Sequence, residues 1–176
     1  MDNIEYYFVF DVESIGLYGD DFAVAGGLYD SEGEALDEFC YCIPKEGLKG
    51  SPEDLKWVEE NVPELPVTHE DGPSMRKAFW GKWIEAKSKD AQIFAECKYP
   101  VETNFMAKCI EEDPSRIKDA PYPFHEIASI MLASGTDPLK SYKRIEGELP
   151  KHHPLKDTRQ SLRILRHCIR KINNGD

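Results

Sequence analysis

The sequence predicts an α/β fold: a mixed central sheet, three antiparallel strands followed by parallel ones, flanked by helices. The first 43 residues hold three apolar runs rich in aromatic and β-branched residues, separated by short polar stretches, which is the pattern of an antiparallel meander. From Ser51 onward, segments with helical spacing alternate with a short apolar run, the arrangement of an α/β chain. The 176 residues, 40% of them apolar, are enough to bury one core, so residues 1–176 are expected to form a single domain.

The first strand is Tyr6-Tyr7-Phe8-Val9-Phe10, ending in Asp11 and Glu13. Phe22 to Tyr29 is the second strand and Ala35 to Ile43 the third, joined by the tight polar turn Asp30-Ser31-Glu32-Gly33. Gly26-Gly27 inside a strand marks a bulge or a close backbone approach rather than a phosphate loop. Ser51-Pro52-Glu53-Asp54 supplies an N-cap, a first-turn proline and first-turn acids, which open a helix through Val62 that Pro63-Glu64-Leu65-Pro66 stops. A second helix covers Pro73 to Lys87, with Met75, Ala78, Phe79, Trp83 and Ala86 recurring at helical spacing as core. Ala91 to Ala95 is a short strand, and Pro100 starts a helix through Ile110. Pro121 to Leu132 is apolar, but its pattern leaves its type open. The closing helix runs from Pro154 to Ile172, where Leu155, Leu162, Leu165, Ile169 and Ile172 form one stripe suited to pack on the sheet.

Charge narrows the classes of function. Against 33 acids stand 22 bases, a net charge of −11 that repels nucleic acid at long range and counts against a pure nucleic-acid-binding module. It counts less against a metal-dependent nuclease, whose acids are its metal ligands. No run approaches the about 20 apolar residues of a membrane helix. The start, Met1-Asp2-Asn3, lacks the basic segment of a signal peptide, so a cytoplasmic protein without a membrane partner is expected. Five cysteines without framework spacing are expected as reduced thiols. Cys40 and Cys42 share a strand face, but Cys97, Cys109 and Cys168 are scattered, and no second pair completes a zinc tetrahedron.

The chemistry begins with Asp11 and Glu13. Period-2 geometry puts both carboxylates on one face, where a hard divalent cation relieves their repulsion, although a solvated strand end has the same pattern. Near the other terminus, Lys151-His152-His153-Pro154-Leu155-Lys156-Asp157 sets Asp157 in the first turn of the closing helix, at the edge of its apolar stripe, with His152 on the preceding loop. Alone, Asp157 reads as a helix-dipole partner and the histidines as a solvated loop. Arg159, Arg163, Arg166, His167 and Arg170 fall on a face roughly opposite the stripe, a solvated face or one able to receive a nucleic-acid strand. His69 and His125 lie outside any motif and read as structural.

Taken in chain order, D-x-E on a first strand and H-x4-D opening a final helix resemble the histidine type of the DEDD family of 3′-5′ exonucleases. The segment Phe10-Asp11-Val12-Glu13-Ser14-Ile15-Gly16-Leu17 is similar to that family's F-D-x-E-T-T-G-L, and the resemblance spans Phe8 to Leu165. The family's second acid opens a helix within a pattern close to F-D-x-x-F-L. Val101-Glu102-Thr103-Asn104-Phe105-Met106 corresponds to it, with glutamate for aspartate, a carboxylate displaced by about 1.5 Å. Glu96, at the end of the preceding strand, is the fallback ligand.

The resemblance implies a ribonuclease H-like fold and two Mg²⁺ or Mn²⁺ ions about 3.5 to 4 Å apart. It implies Asp11, Glu13, Glu102 and Asp157 as ligands and His152 as general base, with His153 the competitor for that role. Ser14, Ile15, Gly16 and Leu17 are implied to grip the terminal nucleotide, and Tyr18 is positioned to stack a base. The implied substrates are single-stranded RNA or DNA 3′ ends, released as nucleoside 5′-monophosphates. The alternative is a catalytically weakened nuclease fold acting as an interaction module. The choice of RNA or DNA, and the oligomeric state, a homodimer included, are not legible in the sequence.

Overall fold

A computed structural model describes residues 4–175; Met1-Asp2-Asn3, read above as lacking a signal segment, lies outside the described residues. Five strands form one mixed sheet in the order β3-β2-β1-β4-β5. Strand β1 (Tyr6–Ser14) runs antiparallel to β2 (Asp21–Asp30), which runs antiparallel to β3 (Ala35–Cys42), giving the expected meander. Strand β4 (Gln92–Ala95) pairs parallel with β1, and the short β5 (His125–Glu126) pairs parallel with β4.

Pleating divides the sheet between two cores. Phe8, Phe10 and Val12 of β1 point into a core with Met75, Phe79 and Trp83, from helix α2 (Gly72–Lys87), and Phe105 and Cys109, from α3 (Val101–Glu112). Helix α1 (Pro52–Asn61) adds Val58 to that face. Tyr7 and Val9, on the opposite face, meet Ile127 and Met131 of α4 (Ile127–Ala133) and Leu162, Leu165 and Ile169 of α5 (Pro154–Asn174).

Local chemistry fixes the helix starts. The Ser51 side chain accepts the Asp54 N–H at the head of α1, and Asp71 and Ser74 form a reciprocal capping box on α2. The segment Pro121 to Leu132, of open type in the sequence, divides into β5 and α4. Every residue of β2 except Asp30 is buried. Gly26 lies in unbroken register, and a Cβ there would sit 2.8 Å from the Val9 carbonyl oxygen, so this glycine serves close approach and not a bulge. Among the described residues, no helix is long and apolar enough to cross a membrane.

Candidate metal centre

Strand β1 runs past its apolar stretch and includes both acids, as the period-2 reading expects. Pairing with β2 carries it through Ser14, so Asp11 and Glu13 lie inside the strand, opposite Ala25 and Ala23. They alternate with Phe10 and Val12 and therefore face away from the α2–α3 core, on the side of Tyr7, Val9 and α5. Strand β4 pairs with β1 only from Tyr7 to Val9. Beyond Val9 that flank of β1 carries no strand, and the Glu102 carboxylate, from the first turn of α3, accepts the Val12 N–H there along with its own. The fourth carboxylate, Asp157, arrives on the first turn of α5.

The four acids act on one another. Burial pushes the Asp11 carboxyl well above its ordinary range, and the charges of Glu13, Glu102, Asp157 and Glu96 push it the same way. Glu13 is raised to about 8, by burial first and then by Asp157 and Glu102, with Lys45 opposing. Burial raises Glu102 to about 7 despite its two N–H donors, and Glu96 adds to the rise. Such a pocket binds either protons or a cation in place of the repulsion.

Three side chains converge most closely: ligand atoms of Glu13, His152 and Asp157 all lie within 4.8 Å of one another. His152 reaches this position from a left-handed backbone, φ 59°, and its ring meets the edge of Trp57 on α1 with centroids 5.0 Å apart. Asp157 is fully engaged. Its Oδ2 accepts the His152 backbone N–H at 3.2 Å, and its Oδ1 accepts from Arg144 Nη1 at 2.5 Å.

The structure separates the two histidines. His153 is the N-cap residue of α5, and its Nδ1 is buried without a hydrogen-bond partner. Its pKa is lowered, chiefly by burial and next by Lys156. Only His152 joins the acids. Glu96, the fallback ligand, accepts the Ser161 hydroxyl at 2.7 Å and borders the cluster through its charge.

The segment after Glu13 divides in role. Ser14 Oγ donates to the Gly16 carbonyl at 2.6 Å, Ile15 is buried, and Gly16 takes φ 65° with the Asp54 carboxylate against its Cα. Leu17 and Tyr18 are exposed, at 61% and 74%. Tyr18 meets Tyr99, also exposed, from the loop before α3. Ile15 lines a cavity of about 590 Å³ with Lys45, Leu55 and Val58.

The basic face of α5 differs from its sequence reading. Arg159 pairs with Glu38, Arg163 with the buried Glu148, and Arg166 with Glu32, so three guanidiniums of that row are held by acids of the same molecule rather than presented to a strand. All five cysteines are free thiols. His69 contacts Thr68 and Tyr41, and His125 bonds Gln92 and stacks on Phe94, both away from the acids.

Arg144 and Trp57 escaped the sequence reading. Arg144 lies in an aperiodic stretch, and Trp57 falls on the outer side of a short amphipathic helix; neither belongs to a motif. What the geometry defines is an α/β protein with a cleft of four carboxylates and one imidazole at the open flank of its first strand. No protein-family model matches the chain, and no curated protein matches it in sequence.

Proposed function

We propose that this chain is a metal-dependent 3′-5′ exonuclease of ribonuclease H-like fold, hydrolysing single-stranded RNA or DNA ends to nucleoside 5′-monophosphates. The observation that carries the reading is the convergence of Glu13, His152 and Asp157 within 4.8 Å, backed by Asp11 and Glu102. Hard carboxylate oxygens with one imidazole suit Mg²⁺ or Mn²⁺, and carboxyls driven upward by one another gain most from a cation. Asp11, Glu13, Glu102 and Asp157 would hold two such ions. Bound there, the ions supply a lowered pKa for water and stabilise charge on the scissile phosphate and the leaving 3′-oxygen.

The chain's own residues do the remainder. His152 stands beside Glu13 and Asp157, where it takes the proton from the attacking water. The Trp57 ring and the Asp157 carboxylate, on the backbone side, hold that imidazole in one orientation. Leu17 and Tyr18 offer an apolar rim to the terminal nucleotide, while Ser14, Ile15 and Gly16 shape the turn that presents it.

End-labelled RNA and DNA oligomers test the reading: stepwise release of mononucleotides from the 3′ end with Mn²⁺, abolished by chelation, is the expected result. No cleavage of either polymer with either metal would refute it. A second reading, an interaction module on a weakened nuclease fold, is favoured by glutamate at position 102, where the family has aspartate. Its mark is a melting temperature that Mn²⁺ leaves unchanged.

A further inference from the structure

Arg144 has no role in the reading above, yet it is the cation most tightly built into the acidic cleft. Its side chain is only 12% exposed. Nη1 donates both to Asp157 Oδ1 at 2.5 Å and to the Glu148 carbonyl at 2.9 Å, while Nε is buried with no partner. Burying a guanidinium with an unsatisfied N–H is costly, and the Asp157 contact is its one charge-assisted bond. The loop that carries it is itself fastened: Glu148 is buried, accepts the Ile145 N–H and binds Arg163 of α5. Arg144 is thus held firmly against Asp157.

This contact changes what Asp157 can offer. One carboxylate oxygen is taken by a permanent positive charge and the other also accepts the His152 N–H, so the residue presents a single, oriented oxygen to the cleft. It also brings one fixed positive charge to a cluster whose acids otherwise raise one another. A divalent ion entering beside Asp157 meets that charge at short range, where Coulomb repulsion in a partly buried site is strong.

We propose that Arg144 is a positioning residue and built-in counter-ion of the metal centre: it sets Asp157 for one-oxygen ligation and weakens divalent-cation binding. The inference rests on the metal-centre reading. A ligand held this way exchanges its ion readily, and the site stays folded when the ion leaves. A merely structural arginine would, on removal, lower metal affinity by loosening Asp157; a counter-ion, on removal, raises it.

Mn²⁺ titration by calorimetry on the full chain separates these. Arg144→Gln should bind Mn²⁺ about tenfold or more tightly than wild type, since a full charge is removed beside a divalent ion. Its unfolding midpoint in chelator should fall below that of wild type. Arg144→Lys keeps the charge and puts three rotatable donors in place of the fixed five-donor fork, so its affinity should stay nearer to wild type than that of Arg144→Gln. Equal or weaker Mn²⁺ binding by Arg144→Gln overturns the proposal. If Arg144→Gln does not fold, Arg144→Met, which keeps an apolar stem without the charge, decides by the same rule: tighter binding than wild type supports the proposal, and equal or weaker binding overturns it. Wild-type protein that takes up no Mn²⁺ would instead sink the metal-centre reading itself.

Discussion

Two groups of acids, each with one buried member, stand at the same end of the sheet and are treated in opposite ways. Asp21 opens β2 directly across from Ser14, one residue from Glu13. Its carboxylate receives Arg76 Nη1 and Lys108 Nζ, each at 2.5 Å, and Arg76 also binds Glu112. Two acids meet two cations drawn from α2 and α3, and the cluster closes on itself. On the other face of β1, the four acids Asp11, Glu13, Glu102 and Asp157 share Arg144 in direct contact and Lys45 at longer range. A matched cluster fastens helices to a sheet. An unmatched one stores repulsion that a ligand can relieve, and that difference makes the second cluster the candidate site.

Neutralising one acid in each cluster should have opposite effects. In the cleft, if the acids hold metal for the proposed hydrolysis, Asp11→Asn should lower 3′-mononucleotide release by about a thousandfold or more, since Asp11 is one of the four carboxylates that would hold the ions. The unfolding midpoint of the chelated variant should stay level or rise, because a repelling charge has gone. In the matched cluster, Asp21→Asn should do the reverse. Leaving Arg76 and Lys108 short of a buried partner should cost about 3 kcal/mol in urea unfolding, with activity per folded molecule retained. Equal stability losses at the two positions would erase the distinction.

Metal addition comes next in size. At a hundred times its dissociation constant, Mn²⁺ should stabilise the wild type by about 2.7 kcal/mol, a rise of about 5 to 10 °C for a chain of this size. Asp11→Asn should lose most of that rise and Asp21→Asn should keep it, as differential scanning calorimetry would read directly.

The same crowding predicts a slope with pH. Glu13 and Glu102 are raised from about 4.5 when unfolded to about 8 and about 7 when folded. Between those limits the folded chain holds protons that the unfolded chain has released, so stability falls as pH rises from about 5 to 8. Saturating Mn²⁺ should flatten the slope by taking the protons' place. A chelated protein whose stability climbs over that range would contradict the crowding of these acids.

Much of the fold was legible because local signals agree with tertiary ones. The polar turn at Asp30 to Gly33 and the capping residues Ser51 and Asp71 act within a few positions of where they stand. The end point of β1 at Ser14 was not, because what sets it is pairing with Asp21 to Ala25, a partner that the period of β1 does not encode. The two-residue β5 is likewise a product of its neighbour β4.

At the site, Asp11, Glu13, His152 and Asp157 could be singled out because their D-x-E and H-x4-D spacings resemble those of the exonuclease family; read alone, neither pair pointed to a site. Glu102 was found only by its place at the head of α3. Arg144 and Trp57 were invisible, since each reaches the cleft through long-range packing. The arginines of α5 illustrate the converse. Helical periodicity gathers them on one face, but only the fold brings Glu38, Glu148 and Glu32 to meet them.

His152 carries one more consequence. Its left-handed backbone is strained for a residue with a side chain, by about 1 kcal/mol, and would be free of strain for glycine. The position is therefore a conflict between folding and chemistry written into a single residue. Drift toward His152→Gly would relax the chain while removing the imidazole, so if the proposed hydrolysis is what retains this histidine, a lineage released from that need would be expected to shed it early and lose no robustness by doing so.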